Sequence, residues 1–388
     1  KFRNVEYLFT DKSGLYKIFR CNNVFSNDFH AFGNEHFFSD LNPDSLLEFL
    51  HFGTTFNGRT ISNNVFSVSP SSIYLFKEND PVKELHKYDP ETENPHEFFG
   101  NLTYSIRNQK TVADLTAGID SRAIVAALKY YDADFSVFTS GEHTSQEFKT
   151  ASIIANKLKL RHDSFSFLEE NTNSFTLEKI YNKSPVSIDL FQFLRVDCIE
   201  HFKKSLGMTL NLTGVGGELY KEILLLQEFP FFNSKNLNFK RLYSLRFEPI
   251  PFDSSLFSQS FNDRESLFYK FMKEEASLFF KETAMLSIDS IWREFKIPAV
   301  TGNIVSYSSK NCIFTYSPFM EKSLTQFASN MKIEKRLFDQ WHREFVTEFY
   351  PEIAKLRTLQ SVTCSNEISD KLMDLFCLFF GFSKRVAR

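Results

Sequence analysis

Glycine is scarce in this chain, 13 of 388 residues. Where one does occur a backbone reason is expected, because glycine alone lacks the Cβ that closes most of φ/ψ space. Cysteine is thin as well. Cys21, Cys198, Cys312, Cys364 and Cys377 lie far apart and form no CxxC pair. That argues against a zinc ribbon or a disulfide framework and fits a reducing compartment. The Asn-x-Ser/Thr matches at Asn101, Asn182 and Asn211 are then expected to be chance. There is no basic excess: the formal net charge is -3. This removes the electrostatic footprint of a nucleic-acid or anionic-membrane binder. No apolar run is long enough to span a bilayer and no signal peptide opens the chain, so a cytoplasmic location is the default. The sequence begins at Lys1 rather than Met, so the natural start is expected to lie upstream. Internal repeats and low-complexity segments are absent too.

What is present suits a folded core: 42% apolar residues and 47 phenylalanines. The first ninety-odd residues read as short strands and turns, with β-like composition in LYKIFR (Leu15 to Arg20) and NNVFSVSPSSIYLF (Asn63 to Phe76). Between them NPDSLLEFLHFG reads as a helix, capped by Asp44 or Ser45 and ended by Gly53. The polar stretch Lys77 to Glu97, with three prolines, reads as a linker. This places a β-rich N-terminal region over residues 1–95 and a second domain over 96–388. In the second, VADL, an apolar helical pattern from Ala123 to Tyr131, DFSVFTS, a helix opened by Thr144 and Glu147 at capping-box spacing, and HDSFSF alternate. That β-α-β-α-β order predicts an α/β fold, a parallel sheet with helical crossovers. MTLNLTGVGGELYKE (Met208 to Glu222) repeats strand, glycine turn and helix, and the chain is mostly helical from Arg264 onward.

The stretch DLTAGIDSRAI, Asp114 to Ile124, carries the chemistry. A helix start presents unpaired N–H groups and a positive dipole end, a natural anion site. The helix is expected to begin near Asp120 or Ser121, after a turn of Thr116, Ala117 and Gly118. Gly118 lets backbone N–H groups close on an anion, and Thr116 and Ser121 add hydroxyl donors. Asp120 would repel a bare phosphate, which argues for a bridging Mg²⁺. The stretch is neither a Walker loop nor G-x-G-x-x-G. The bland alternative is an ordinary strand-to-helix turn with a capping Asp or Ser.

TAGIDS resembles the SGGxDS pyrophosphatase loop of ATP-cleaving α/β ligases, with Thr116 for Ser and Ala117 for the first Gly. Four further segments, one before this loop and three after it, stand in matching order. They are Phe49 to Phe76 with Pro70-Ser71 in place of Pro-Gly, Phe138 to Phe167, LTGVGGELY (Leu212 to Tyr220), and more weakly TYSPFMEKSLTQFASNM (Thr315 to Met331). Together they resemble the asparagine synthetase family and, more loosely, β-lactam synthetases and lasso peptide cyclases. The resemblance implies a HUP-like domain binding ATP and Mg²⁺, and an AMP-forming ligation of a small-molecule or peptide carboxylate to an amine or ammonia. It implies a nucleotide site of Leu115, Thr116, Ala117, Gly118, Ile119, Ser121, Arg122, Phe138, Thr139, Ser140, Gly141, Thr213, Gly214, Gly216 and Gly217. Asp120 and Glu218 would be the metal-side carboxylates. Leu115, Phe138, Thr139 and Ser140 would pack and hydrogen-bond the adenosine. Glu147 would either touch a ligand or cap its own helix.

Some features depart from that pattern. Lys1 stands where glutaminase-bearing relatives have a catalytic cysteine, and the N-terminal region is short for a glutaminase domain. Ammonia would come free or from a separate amine-supplying partner, or the amine would already sit on a substrate; a homodimer is left open. Glu218 stands alone where the family has Asp-Glu. Lys355 and Arg357, in PEIAKLRTLQS, are the candidates for a cation at the reacting carbonyl, or else solvated helix-end charges. A non-catalytic ATP-binding relative and another PP-loop transferase are the competing readings; the near-neutral charge and absence of paired cysteines argue against a thiolation or RNA-modifying enzyme. His30 and His36 lack metal-ligand spacing. Arg293 is expected in an ion pair within Trp292-Arg293-Glu294. The clusters Phe98 and Phe99, Phe229 to Phe232 and Phe376 to Phe382 are expected in the core, the last alternatively in a partner-binding helix.

Overall fold

A computed structural model describes residues 6–33, 39–76, 83–85, 91–167, 177–184, 190–221, 234–247, 253–358 and 368. His36, Cys364, Cys377 and the phenylalanine clusters 229–232 and 376–382 lie outside the described residues. The chain divides into two compact units, Lys1–Pro90 with Phe175–Asp197 and Leu224–Asn311, and Glu91–Ser174 with Cys198–Ile223 and Cys312–Arg388. This division differs from a single cut at residue 95, because two later segments group with the N-terminal region. Among the described residues no helix is long and apolar enough to cross a membrane.

The first unit holds six short strands: β1 (Glu6–Phe9), β2 (Phe19–Cys21), β3 (Val24–Ser26), β4 (Phe66–Ser67), β5 (Ile73–Phe76) and β6 (Lys83–Leu85). They form two antiparallel sheets in the orders β1-β5-β6 and β3-β2-β4. The expected linker therefore contributes a strand, β6, to a sheet edge, and its Pro95 opens the helix Pro95–Ile106 of the second unit. A proline suits that first helical position because its missing N–H would be unpaired there anyway. LYKIFR becomes a strand only at its end, in Phe19–Cys21. Phe19, Cys21, Phe29, Phe32 and Val65 pack together beneath β2. The helix Pro43–Phe52 is capped by Asn42, whose side chain accepts from the N–H groups of Asp44 and Ser45, not by those two residues themselves. Gly53 ends it in the left-handed region, as expected. At Pro70-Ser71, Ser71 holds φ 59, the backbone that glycine would favour.

A long helical run crosses the first unit from Ala284–Ser290 through a wide π turn, Ile291–Lys296, to Ile297–Asn311. Pro298 accounts for the wide turn, because it has no N–H to donate one turn back. Within that turn Arg293 and Glu294 form the expected ion pair, 2.5 Å. Phe56 stacks on Phe295 at 4.7 Å, and Glu48 lies fully buried against Arg59, which also reaches Glu275 at 2.6 Å.

The second unit is built on five parallel strands: β7 (Thr111–Asp114), β8 (Phe135–Ser140), β9 (His162–Phe165), β10 (Leu210–Leu212) and β11 (Phe314–Tyr316). Their order is β11-β10-β7-β8-β9. The helices Ile119–Tyr130 and Gln146–Leu158 make the crossovers between β7, β8 and β9. The predicted α/β class with a parallel sheet, β-rich N-terminal strands and a helical C-terminal part is what the chain adopts. Parallel strands covered on both faces must be apolar throughout, and β7 and β8 are buried along nearly their whole length. The helix Gln146–Leu158 is capped by Ser145, which accepts from Phe148 N–H, so Thr144 and Glu147 do not form the expected capping box. The described chain is helical from Arg264 apart from β11 and short turns. Phe98 and Phe99 are buried, and Phe99 meets Phe345 of the helix Gln340–Phe349. Cys21, Cys198 and Cys312 are free thiols, all buried. Asn211 is buried inside β10, which bears out the chance reading of its sequon.

Burial pushes the Glu48 carboxyl up from its usual 4.5 to about 7, against the opposing pull of Arg59. The folded chain then holds this proton more tightly than the unfolded chain. The neutral form contributes stability that is complete below about pH 4.5 and lost as the pH rises through about 7. Glu48→Gln is expected to flatten stability over that window, read from urea midpoints at pH 5, 6, 7 and 8.

Candidate functional site

The strand order of the second unit reverses between β7 and β10. Each strand feeds its loop out at the same end of the sheet, so the turns after β7 and β10 diverge around a crevice. Ligands of open α/β sheets bind in that position. Here the crevice is a cavity of about 340 Å³, lined by both turns, by Phe138 and Ser140 of β8, and by Glu200 and Lys203 of the helix Leu190–Ser205. Its volume falls within the range of small-molecule sites, about 300–1,000 Å³.

The first turn begins where Leu115 N–H bonds to the Phe138 carbonyl at 2.8 Å, one step past β7. Thr116 N–H then donates to Ser121 Oγ at 3.1 Å, and Gly118 N–H to Thr116 Oγ1 at 3.0 Å. The two hydroxyls share one hydrogen bond of 3.0 Å, which uses one of their two protons. Both residues line the cavity. The helix starts at Ile119, one residue earlier than expected, with Gly118 at the cap position and no capping side chain. The N–H groups of Ile119, Asp120 and Ser121 thus have no intrahelical acceptor. Ala117 is absent from the residues with positive φ, and its side chain is fully buried, so the methyl group is accommodated.

The second turn, Thr213 to Gly217, leads into a single 3₁₀ turn, Gly217–Tyr220, rather than the expected helix. Here the glycines have a steric reason. Gly216 holds φ 86, and a Cβ on Gly217 would lie 2.4 Å from Asp120 Cγ. A Cβ on Gly214 would come within 3.1 Å of Ser121 N. The two turns meet backbone to side chain, and any larger residue would force them apart. Thr213, Gly214 and Val215 line the cavity; Gly216 and Gly217 lie behind it, against Met320 and Asp120.

Several expected site residues do not reach the cavity. Thr139 points to the other face of β8 from Phe138 and Ser140, as strand alternation requires. Its hydroxyl donates to Leu115 O at 2.7 Å. Ile119 is core. Arg122 is 0% exposed, and its guanidinium donates to the carbonyls of Ala117 (3.0 Å), Ile353 (3.0 Å) and Leu356 (2.6 Å). It ties the first turn to the segment after the helix Gln340–Phe349, and its buried Nε has no hydrogen-bond partner. Gly141 donates its N–H to Phe165 O, and Glu147 sits half-buried in the first turn of its helix. Lys355 and Arg357 are exposed and do not line the cavity.

Other charged groups occupy the site. Lys203, 1% exposed, places Nζ 2.7 Å from Asp114 Oδ1 and 2.8 Å from Glu200 Oε1. The ammonium lies 4.8 Å from the centre of the Phe138 ring. Burial alone would lower the Lys203 pKa, but Asp114 and Glu200 outweigh it and the net shift is upward. Asn211 braces Asp114 from the neighbouring strand, Nδ2 to Oδ2 at 3.2 Å. No local pattern marks Lys203, which lies far along the chain from the loop it serves. Lys221, in contrast, follows the second turn in GGELYK and could have been found by asking what neutralises Asp120.

Asp120 meets that cation directly. Lys221 Nζ is 2.7 Å from Oδ2, and His342 Nε2, from a fully buried ring, is 3.1 Å from Oδ1. Burial would raise the Asp120 carboxyl, yet Lys221 and His342 hold it down at about 2. Glu218 shifts the other way: burial pushes its carboxyl above the usual range, and Asp120 adds to the push. Among the described residues, Asp120, Glu218 and His342 do not converge as a metal-binding cluster. Lys221 engages Asp120 Oδ2, whereas Oδ1, though near His342, is buried without a hydrogen-bond partner and is the one acceptor of this carboxylate that a cation would find open.

No protein-family profile matches the chain, and no curated protein matches its sequence. Solved structures with some likeness include an NH3-dependent NAD synthetase from Campylobacter jejuni subsp. jejuni NCTC 11168, at 13% identity and a TM-score of 0.24, covering 50% of this chain and 89% of that one. A glutamine-dependent NAD+ synthetase from Acinetobacter baumannii, in complex with ADP, is similar at 16% identity and a TM-score of 0.24, over 62% of this chain and 52% of that chain.

Gly217→Ala is expected to drive the two turns apart and lower the midpoint of thermal unfolding, while far-UV circular dichroism stays that of the folded chain. Arg122→Met should lower the unfolding free energy by about 2–4 kcal/mol in urea titrations, because buried carbonyls lose their charged donor.

Proposed function

We propose that this chain is an ATP-dependent, AMP-forming amide ligase. One observation carries the reading: two turns meet where the strand order reverses, and the uncapped first turn of the helix lines the resulting cavity through Asp120 and Ser121. Phe138 and Leu115 offer apolar surface to a nucleobase. The N–H groups of Ile119, Asp120 and Ser121, with a hydroxyl from Thr116 or Ser121, would receive the departing pyrophosphate. Thr213 and Gly214 would close the other side. Lys203, held on Asp114 and Glu200, keeps a positive charge at the cavity wall.

The reaction proceeds in two transfers. A carboxylate oxygen of the acyl substrate attacks the α-phosphorus of ATP. The bond from that phosphorus to the α,β-bridging oxygen breaks, and pyrophosphate leaves with the electron pair. An amine or ammonia nitrogen then attacks the acyl carbon, the carbon–oxygen bond to AMP breaks, and the nitrogen loses a proton. The residues of this chain act in the first transfer by orienting the phosphates and stabilising charge on the leaving group.

A second reading, a nucleotide-binding relative without ligase activity, draws on the exposure of Lys355 and Arg357, which lie outside the cavity lining and so do not supply there the cation expected near the acyl carbon.

The two readings separate in a paired assay. ATP at 100 times its dissociation constant should stabilise the fold by about 2.7 kcal/mol in either case. The ligase should also exchange labelled pyrophosphate into ATP when supplied with its carboxylate, and Lys203→Met should reduce that exchange on the order of 10²-fold. ATP stabilisation without exchange across a broad carboxylate panel favours the second reading. Absence of any ATP effect eliminates both.

A further inference from the structure

The helix Leu190–Ser205 carries chemistry that the nucleotide reading does not use. Glu200 and Lys203 line the cavity. His201, between them in sequence, meets Cys312, which stands just ahead of β11. Its Nδ1 shares a hydrogen bond of 3.1 Å with Cys312 Sγ. Asp197 lies four residues before His201 on the same helix, one turn away, so the two side chains share a face. A carboxylate oxygen of Asp197 lies within 4.8 Å of a ring nitrogen of His201. Tyr307 donates its hydroxyl to Asp197 Oδ1 at 2.7 Å and orients the carboxylate, as hydrogen bonds behind metal ligands do. Asp197 and Cys312 are buried, and His201 is partly exposed, which gives a small ion access.

The donor types select the ion. Thiolate and imidazole suit Zn²⁺, whereas Mg²⁺ and Ca²⁺ take oxygen ligands. Tetrahedral ligands at about 2.1 and 2.3 Å from zinc stand roughly 3.6 Å apart. The pair at 3.1 Å therefore needs only a small opening once the ion replaces the thiol proton. Asp-x-x-x-His is visible in the sequence as DCIEH, but its third donor is 111 residues from His201 and no CxxC spacing announces it.

We propose that His201, Cys312 and Asp197 are the ligands of a Zn²⁺ site, with the fourth tetrahedral position taken by water. Binding forms bonds from zinc to sulfur, nitrogen and oxygen, sends the thiol proton to solvent and changes no oxidation state. The ion would clamp the helix that carries Lys203 to the chain entering β11. This inference stands apart from the nucleotide reading, and either can fail alone.

The test is cobalt substitution in the full chain, stripped of metal by a chelator and kept reduced. One equivalent of Co²⁺ should give a thiolate-to-metal charge-transfer band in the near ultraviolet and the strong visible bands of a tetrahedral ion, and Zn²⁺ should abolish both. Cys312→Ser should lose the charge-transfer band, and His201→Gln should weaken binding about tenfold or more, each with the circular dichroism of the folded chain. Cys198→Ser, which removes the other thiol of the helix, should keep the band. A folded wild type without the band overturns the proposal. So does a band that survives in folded Cys312→Ser or vanishes in folded Cys198→Ser, and so does a folded His201→Gln chain that binds like wild type. X-ray absorption of the zinc-loaded wild type decides without variants. One sulfur among nitrogen and oxygen ligands supports the site, and a shell with no sulfur, or with more than one, overturns it.

Discussion

Asp120 is an anion held from three sides, and the candidate site depends on that arrangement. Lys221 covers one oxygen, His342 approaches the other, and the Gly217 backbone closes against the carbon between them. A carboxylate withdrawn from water is costly unless charge and hydrogen bonds replace its hydration. Here the replacements come from the turn after β10 and from the helix Gln340–Phe349, so solvating Asp120 also assembles those elements around the first turn. Two positions on, Arg122 performs the complementary task with opposite charge. It gathers the carbonyls of Ala117, Ile353 and Leu356 at the back of the same turn. The first turn of one helix thus carries an anion and a cation two positions apart, each met by distant chain.

The glycines follow from the same crowding. Gly118 adopts φ -72, open to any residue, and its value lies in the space its missing Cβ leaves beside Thr116. The strict requirement falls on the second turn, where Gly216 has a left-handed backbone and Gly217 touches Asp120. Ala117, where the SGGxDS pattern that the loop resembles has glycine, is accommodated because its methyl group is buried. A sequence comparison weighs these positions equally, whereas packing separates them.

Much of the fold was legible because it rests on local rules. Alternation of short apolar runs with helical periodicity predicted the parallel sheet, and the polar turn after VADL marked where the crevice would lie. Cap assignments were less legible: Asn42 and Ser145, not the neighbouring Asp44, Ser45 or Thr144, accept the first helical N–H groups. Neighbouring polar residues are chemically equivalent until the backbone chooses which of them stands just outside the helix. Thr139 and Arg122 were misplaced for a related reason. Resemblance to a motif says that a segment is near a ligand, but strand alternation and helix rotation decide which of its side chains face it. Lys203 was invisible because no spacing connects it to Asp114.

Local sequence was enough for the order of the main strands and crossover helices and for the two glycine-bearing turns, since backbone preference and hydrophobic period are set within a few neighbouring residues. It also determined that a charged residue would sit at the helix start. Only the tertiary structure decided what that charge does. Lys221 is 101 residues from Asp120, and His342 is further still. The identity of a buried carboxylate's counter-ion depends on which distant groups the fold brings within hydrogen-bond reach, and Coulomb attraction at that range in a shielded site outweighs anything local sequence can specify.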